Sequence, residues 1–236
     1  VIIAGIDFET TSVDPETCYP TEFAIMLWDP VENLILDSMS FLIAVPKRVD
    51  INNWHITGLT REYIDVYGLP WHDFEKELKA KIQYVHYIMA HNATFDRTIL
   101  ERMLDATVDL KWIDTMTDLP YPPQITTRSL THLAAEHGFL NPFPHRALFD
   151  VATMIKIASM YDITEILKYA RSPNVWIRAS VSKDDRGKAK NRYYKWDPTN
   201  GFWVKQLKEL NILKEETEAD FPIDLLPGYV YKEQYL

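Results

Sequence analysis

The sequence predicts an α/β chain: a mixed five-stranded sheet flanked by helices, with a small β-hairpin module at its C-terminal end. Three observations predict it. Three strand-like runs come first and are followed by segments that alternate between helical and strand character, the order of a mixed sheet with helices on its faces. Apolar residues after Thr94 recur at helical spacing. Past about residue 170 that pattern gives way to alternating aromatic and basic residues around an Asn-Gly pair, a hairpin signal. The chain has 236 residues, enough for one full domain and a small appendage, and we place the domains at 1–170 and 171–236.

Val1–Phe8 is almost continuously apolar, as a central strand buried on both faces must be. Phe23–Trp28 and Leu34–Ala44 are strand-like and separated by Asp29-Pro30…Asn33, which predicts an antiparallel meander. Thr60-Arg61-Glu62-Tyr63 and His72-Asp73-Phe74-Glu75 have the composition of helix starts, and the second continues through Leu78 and Ile82. Val85–Ala90 is a short buried strand. A helix over Thr94–Leu104 carries Phe95, Ile99, Leu100 and Met103 on one stripe, and Leu110–Ile113 supplies the fifth strand. Helices are predicted over Ser129–His137, with Ser129 as its cap, and over Arg146–Met160. Val175–Val181 alternates like a strand. Arg192–Trp196 and Phe202–Lys205 are predicted to form a hairpin around Asp197-Pro198-Thr199-Asn200-Gly201.

Composition excludes several classes. A hydrophobic fraction of 47% is too high for a disordered chain. No apolar run reaches the ~18 residues of a membrane-spanning helix. The single cysteine, Cys18, forms no internal disulfide, and no Cys/His cluster has zinc spacing, so a reducing cytoplasm is the expected location. Val1–Ile6 lacks a basic start and runs into Asp7, which reads as a strand rather than a signal peptide. The net charge of −9 looks wrong for a nucleic-acid binder, but it is unevenly spread. Lys168–Lys208 holds 11 basic residues against three acids (Asp184, Asp185, Asp197), so the rest of the chain is far more acidic than the total. Such a split suits an acidic body joined to a basic gripping module; it also suits a merely solvated basic face.

Three acidic motifs carry the chemistry. Asp7 and Glu9 end the first strand, and residues i and i+2 of a strand share a face. Two carboxylates side by side there are costly without a positive charge between them, and hard oxygen ligands favour magnesium or manganese. The alternative is a strand that exits into a polar loop. Asp96, in His91-Asn92-Ala93-Thr94-Phe95-Asp96, stands where a strand gives way to a helix, either facing a cleft or only offsetting the helix dipole. Asp150 opens an apolar helix five residues after His145, which follows Pro144 in a loop or first turn.

Together, in this order and spacing, the motifs resemble the DEDDh exonucleases, a family that includes the proofreading subunit of bacterial replicative polymerases and bacterial exonuclease X. The likeness covers roughly residues 1–165 and extends to Trp54-His55-Ile56-Thr57-Gly58-Leu59-Thr60, Trp112-Ile113-Asp114-Thr115 and Ser129-Leu130 through Leu133-Ala134. Ser12 departs from the glycine that often follows Glu-Thr-Thr in the family. The resemblance implies a ribonuclease H-like fold and a 3′–5′ exonuclease that uses two Mg²⁺ or Mn²⁺ ions. It implies that Asp7 bridges the ions, that Glu9 and Asp150 complete the site of the nucleophilic water, that Asp96 supports the second ion, and that His145 is the general base. It further implies that Trp54, His55 and Ile56 pack on the terminal nucleotide, that the Phe8 backbone and Thr10 lie near the 3′ end, and that Asn92 and Phe95 line the cleft. Core packing is the other reading of Trp54 and Phe95. His91 and His55 are expected to be structural or to support the ligands rather than to catalyse.

Lys188-Ala189-Lys190-Asn191-Arg192…Trp196-Asp197 and Phe202-Trp203 resemble a small β module found alone or appended to bacterial and phage exonucleases. Lys188, Lys190 and Arg192 with Trp and Tyr suit phosphate contact and base stacking; Trp196 and Trp203 equally suit the core of a small domain. The tail from Asn211 is acidic, then apolar, and either docks on the body or binds a protein partner. The expected partner is nucleic acid, DNA rather than RNA and preferably single-stranded. A 3′–5′ exoribonuclease and a catalytically silent nucleic-acid-binding protein on the same fold are the alternatives.

Overall fold

The first strand is the spine of the N-terminal unit in the computed structural model, which describes residues 1–231. β1 (Ile3–Thr10) is antiparallel to β2 (Pro20–Asp29), which is antiparallel to β3 (Leu34–Leu42). On its other edge β1 runs parallel to β4 (Tyr87–Ala90), itself parallel to β5 (Lys111–Asp114), so the order is β3-β2-β1-β4-β5. Cover on both faces of the sheet explains the apolar run of β1: Ile3, Ala4 and Ile6 are completely buried. The helices of this unit are α1 (Trp54–Thr57), α2 (Arg61–Tyr67), α3 (His72–Ile82), α4 (Ala93–Leu104), α5 (Leu130–Glu136), α6 (Ala147–Ala158) and α7 (Ile163–Arg171). Among the described residues, no helix is long and apolar enough to cross a membrane.

Alternation along β1 sorts its side chains onto two layers. Ala4, Ile6 and Phe8 join Leu78 of α3 and Ile99 and Leu100 of α4 in one core cluster. Gly5, Asp7 and Glu9 take the opposite face, which α6 crosses together with β2. A Cβ on Gly5 would lie 3.1 Å from the side chains of both Val151 and Ile155 of α6, so any other residue makes those side chains give way by a few tenths of an ångström. Asp150 is one residue before Val151, and Asp7 is two residues past Gly5. The close approach therefore delivers the start of α6 to the carboxylate end of β1.

Two helices of this unit lie outside the predicted set, although α7 carries Ile163, Ile166, Leu167 and Ala170 at helical spacing. α1 is a single turn, too short for periodicity to register. α7 begins just past Asp162, whose carboxylate accepts the Thr164 N–H at 2.8 Å. Ser129 does not cap α5 with its side chain; only its carbonyl takes part, accepting the Leu133 N–H at 2.9 Å.

The chain divides into compact units between Leu167 and Lys168, inside α7, and the second unit also takes in Pro120–Thr126. This unit is larger than the predicted hairpin. β6 (Asn174–Ala179), α8 (Arg186–Asn191), β7 (Lys195–Asp197), β8 (Phe202–Lys208), a 3₁₀ turn over Glu209–Asn211, α9 (Ile212–Glu218) and β9 (Ile223–Leu225) follow one another, and the strands pair in the order β7-β8-β6-β9. The hairpin forms where Asn-Gly marks it. The Asp197 carboxylate accepts the N–H groups of Thr199 and Asn200 at 2.8 and 3.1 Å, and Gly201 closes the turn at φ +70°.

The predicted strand over Arg192–Trp196 is shorter, beginning at Lys195. Buried Ala189 anchors α8, the Tyr194 N–H reaches back to its carbonyl at 3.1 Å, and Tyr193 sits at φ +65°. Lys188 and Lys190 are therefore helical, and Arg192 stands in the turn after the helix. The tail packs within its own unit through β9 and through Tyr229, whose ring meets Trp176. Its last residues, 232–236, lie outside the described residues, and with them part of the expected partner-binding tail.

If the Gly5 contact sets the position of α6, Gly5→Val costs about 1–3 kcal/mol of stability by overpacking. It also lowers nuclease activity beyond what the loss of folded protein explains. Urea unfolding alongside an activity assay reads both; unchanged values for each would show that α6 tolerates a side chain there.

Candidate active site

β4 pairs with β1 only over Ile3–Gly5, which leaves the later part of that edge without a partner strand. The Phe8 N–H on this stretch is taken instead by Asp96 Oδ1 at 3.0 Å. Asp96 lies in the first turn of α4 and is only 2% exposed. The chain swings from β4 into α4 through Asn92 at φ +72°, a left-handed position that asparagine tolerates. The Asn92 N–H donates to Asp114 at the end of β5 at 3.0 Å, and the Met116 N–H donates to the same oxygen at 2.9 Å.

On the α6 side, residues 141–146 wrap around Asp150. Its Oδ1 accepts Asn141 Nδ2 at 2.5 Å and its Oδ2 accepts the His145 N–H at 2.9 Å. His145 adopts φ +62° and leaves its ring exposed. Among the described residues, one ligand-capable atom each of Glu9, His145 and Asp150 lies within 4.8 Å of the others, a spacing that could hold a metal ion. Asp7 and Asp96 stand outside that tight group but act on it electrostatically. Asp7 is held well above the usual carboxylate range, by burial first and then by the charges of Asp96, Glu9, Asp150 and Glu22. Glu9 is pushed to about 8 by burial and by Asp150, Glu22 and Asp96. Burial likewise raises Asp96, against the hydrogen bond from Phe8, and raises Asp150 to about 6, against its hydrogen bond from His145. All four acids thus lie close enough to act on one another, at a place short of positive charge.

Glu22 is the residue that sequence reasoning missed. It lies directly opposite Glu9 in the β1–β2 register and is only 3% exposed. Arg146 grips it with both arms, at 3.0 and 2.9 Å, and the Ala147 N–H adds a third bond at 3.1 Å. This pair fixes the entry to α6 and sets a guanidinium against the charge on Glu9. A glutamate beside the apolar Phe23–Trp28 run was the available signal. Asn141 carried none.

Trp54 and Ile56 are 53% and 48% exposed, and His55 is exposed beside them, so core packing does not account for Trp54. Their helix is tied to the end of β1: Asn53 Nδ2 donates to the Thr10 carbonyl at 3.4 Å and the Asn52 N–H to that of Thr11 at 3.2 Å. The side chains of Phe8 and Thr10 are buried. The Phe8 ring is buried against Phe23, and its N–H is spent on Asp96. Thr10 is buried and donates its hydroxyl to the Ser12 carbonyl at 2.7 Å. Phe95 is half-buried against the core cluster, whereas Asn92 is exposed. Burial holds the His91 imidazole down at about 4, and its Nδ1 meets Thr115 Oγ1 at 2.9 Å.

Two of the three basic residues expected to grip the strand are already engaged. Lys188 pairs with Asp185 and Asp220 at 3.1 and 3.4 Å, and Arg192 pairs with Glu215 and Glu218 at 3.0 and 3.1 Å. The acidic stretch of the tail folds back within its unit and neutralises them. Lys190 stays exposed.

The raised acids set a pH dependence. An acid whose folded pKa lies above its unfolded value gives stability that is complete below the unfolded pKa and is lost as pH rises through the folded one. Glu9 moves from 4.5 to about 8 and Asp150 from 3.8 to about 6. The metal-free protein should therefore melt at progressively lower temperature from about pH 4 to about pH 8, and Mn²⁺ should raise the melting temperature more at pH 8 than at pH 5. Melting in EDTA that becomes more stable over this range would contradict the assignment.

Residues 4–158 match the RNase T exonuclease family, and residues 175–226 match a family described only as a domain of unknown function. The PolC-type DNA polymerase III of Thermotoga petrophila is 28% identical over 154 residues, covering 62% of this chain and 11% of the polymerase. Escherichia coli exonuclease I, solved with a dT13 oligonucleotide, superposes with a TM-score of 0.61 at 15% identity over 76% of this chain and 48% of its own. The nuclease domain of 3′hExo, a DEDDh family member solved with rAMP, gives 0.56 at 18% identity over 67% and 90%. The chain thus spans about a tenth of the polymerase and about half of exonuclease I. The mixed five-stranded sheet with its flanking helices is the ribonuclease H-like fold of these nucleases. With more than half of its length inside the matching family, the chain belongs to the RNase T exonucleases.

Proposed function

We propose that this nuclease is a 3′–5′ exonuclease that uses two Mg²⁺ or Mn²⁺ ions and acts on DNA, preferably single-stranded. The observation that carries the reading is the convergence of Glu9, His145 and Asp150 within 4.8 Å, beside Asp7 and Asp96, which are buried acids. Hard carboxylate oxygens under mutual repulsion fit a hard divalent cation. Asp7, Glu9 and Asp150 would hold the ions, with Asp96 in support; once bound, such ions supply an activated water and neutralise phosphate charge. His145 takes the proton of the attacking water, from a loop that Asp150 and Asn141 hold in place. Exposed Trp54 and Ile56 offer an apolar face for the last base beside the end of β1.

The 3′–5′ direction rests on the DEDDh resemblance. DNA is favoured because one relative is a DNA polymerase and exonuclease I was solved with dT13. The rAMP bound to 3′hExo supports an exoribonuclease as the second reading.

Digestion of 5′-labelled single- and double-stranded DNA and RNA with Mg²⁺ tests direction and substrate together. A ladder shortening from the 3′ end, fastest on single-stranded DNA, is expected; binding without release of mononucleotides would make the chain a silent binder. Asp7→Ala abolishes turnover. His145→Ala slows it by roughly 10²–10⁴-fold while calorimetric Mn²⁺ affinity stays within about twofold. Loss of Mn²⁺ binding in His145→Ala would make the imidazole a ligand instead of a base.

A further inference from the structure

We infer that the C-terminal unit carries its own binding groove for unpaired nucleic acid, built between α8 and the β7–β8 hairpin. The groove is open to solvent and has a volume of about 1040 Å³, at the upper end of the roughly 300–1,000 Å³ of small-molecule sites. One wall is basic: Lys183, Arg186 and Lys190 line it against a single acid, Asp184. All three cations are exposed, and none is held in an ion pair among the described residues, unlike their neighbours Lys188 and Arg192. The other wall is aromatic. Trp203 and Trp196 meet edge to face at 5.6 Å between ring centroids.

The two tryptophans differ in what holds them. Trp203 packs on the small core of Ile177, Ala179, Ala189, Tyr194 and Phe221, so folding accounts for it. Trp196 is outside that cluster and 46% exposed, and nothing in the unit's core requires it. An aromatic face kept open opposite three unneutralised cations has the chemistry of a base-stacking, phosphate-contacting channel. An apolar peptide would gain nothing from the cations, and a free anion would gain nothing from the ring. The occupant that uses both is a single strand of DNA or RNA. This extends the nuclease reading: the chain would hold its substrate at a place additional to the strand-end pocket, and long strands would bind more tightly than short ones.

Fluorescence anisotropy of a labelled oligothymidylate of about 20 nucleotides, added to the whole chain in EDTA so that nothing is cut, tests the groove. Lys183→Glu/Arg186→Glu/Lys190→Glu should weaken binding at least tenfold and flatten the log–log salt slope by about two. Trp196→Ala should weaken it about five- to a hundredfold, with Trp196→Phe restoring most of the loss. Gly187→Glu adds a carboxylate on the groove lining, at a position where a Cβ meets nothing within 4 Å, and should lose binding with its melting temperature unchanged. An abasic strand of equal length should bind the parent chain more weakly than the oligothymidylate. Parent-like affinity in all these variants overturns the groove, and so does equal binding of poly-glutamate or of the abasic strand. Because no cleavage is read, these outcomes are independent of whether mononucleotides are released when Mg²⁺ is supplied.

Discussion

Like charges crowd the end of β1. At an effective dielectric near 20, two unit charges about 4 Å apart repel by roughly 4 kcal/mol, and Asp7 feels Asp96, Glu9, Asp150 and Glu22 together. The protein's answer is partial. Asp96 is held by one backbone N–H, Asp150 by another and by Asn141, and Glu22 by Arg146. Asp7 and Glu9, at the centre, are left to protonate or to find a cation; burial first, then the neighbouring charges, raises both, and burial raises Asp96 and Asp150 too in spite of their hydrogen bonds. Gly5 keeps α6 at close range, because a side chain there would press on Val151 and Ile155, next to Asp150 on the same helix.

The acids themselves were legible in the sequence, since period-2 alternation places Asp7 and Glu9 on one face and the family likeness adds Asp96, His145 and Asp150. The sheet was legible for a similar reason: a strand covered on both faces must be apolar where it is covered, and β1 is so from Ile3 to Ile6, before its acids begin. What could not be read is long-range. Glu22 lies opposite Glu9 only through the register of two strands, and its partner Arg146 is more than a hundred residues away. Nor could alternation reveal that the Phe8 N–H is consumed by Asp96 or that the Thr10 hydroxyl turns back on Ser12. These are hydrogen bonds of the folded chain, with no trace in residue spacing.

The C-terminal unit makes the same point with charge. By composition its basic residues form one block, and any of them serves equally well to contact phosphate. Folding sorts them. Acids from α9 and beyond take Arg192 and Lys188, and a further acid-bound lysine, Lys205, joins Glu215 at 2.9 Å. Lys183, Arg186 and Lys190 are left facing aromatic rings. A three-residue strand, a six-residue helix and a strand formed near the end of the described chain are each too short for pattern recognition, so a hairpin was foreseeable and the four-stranded sheet was not.

Whether the converging acids are a metal centre can be seen directly. Crystals soaked in Mn²⁺ and measured at the manganese edge should give anomalous peaks bounded by Asp7, Glu9 and Asp150, close to the His145 ring and the carboxylate of Asp96. Soaked crystals with no anomalous density among these side chains, grown from protein that hydrolyses DNA in the same Mn²⁺ buffer, would show that the acids gather for some other reason.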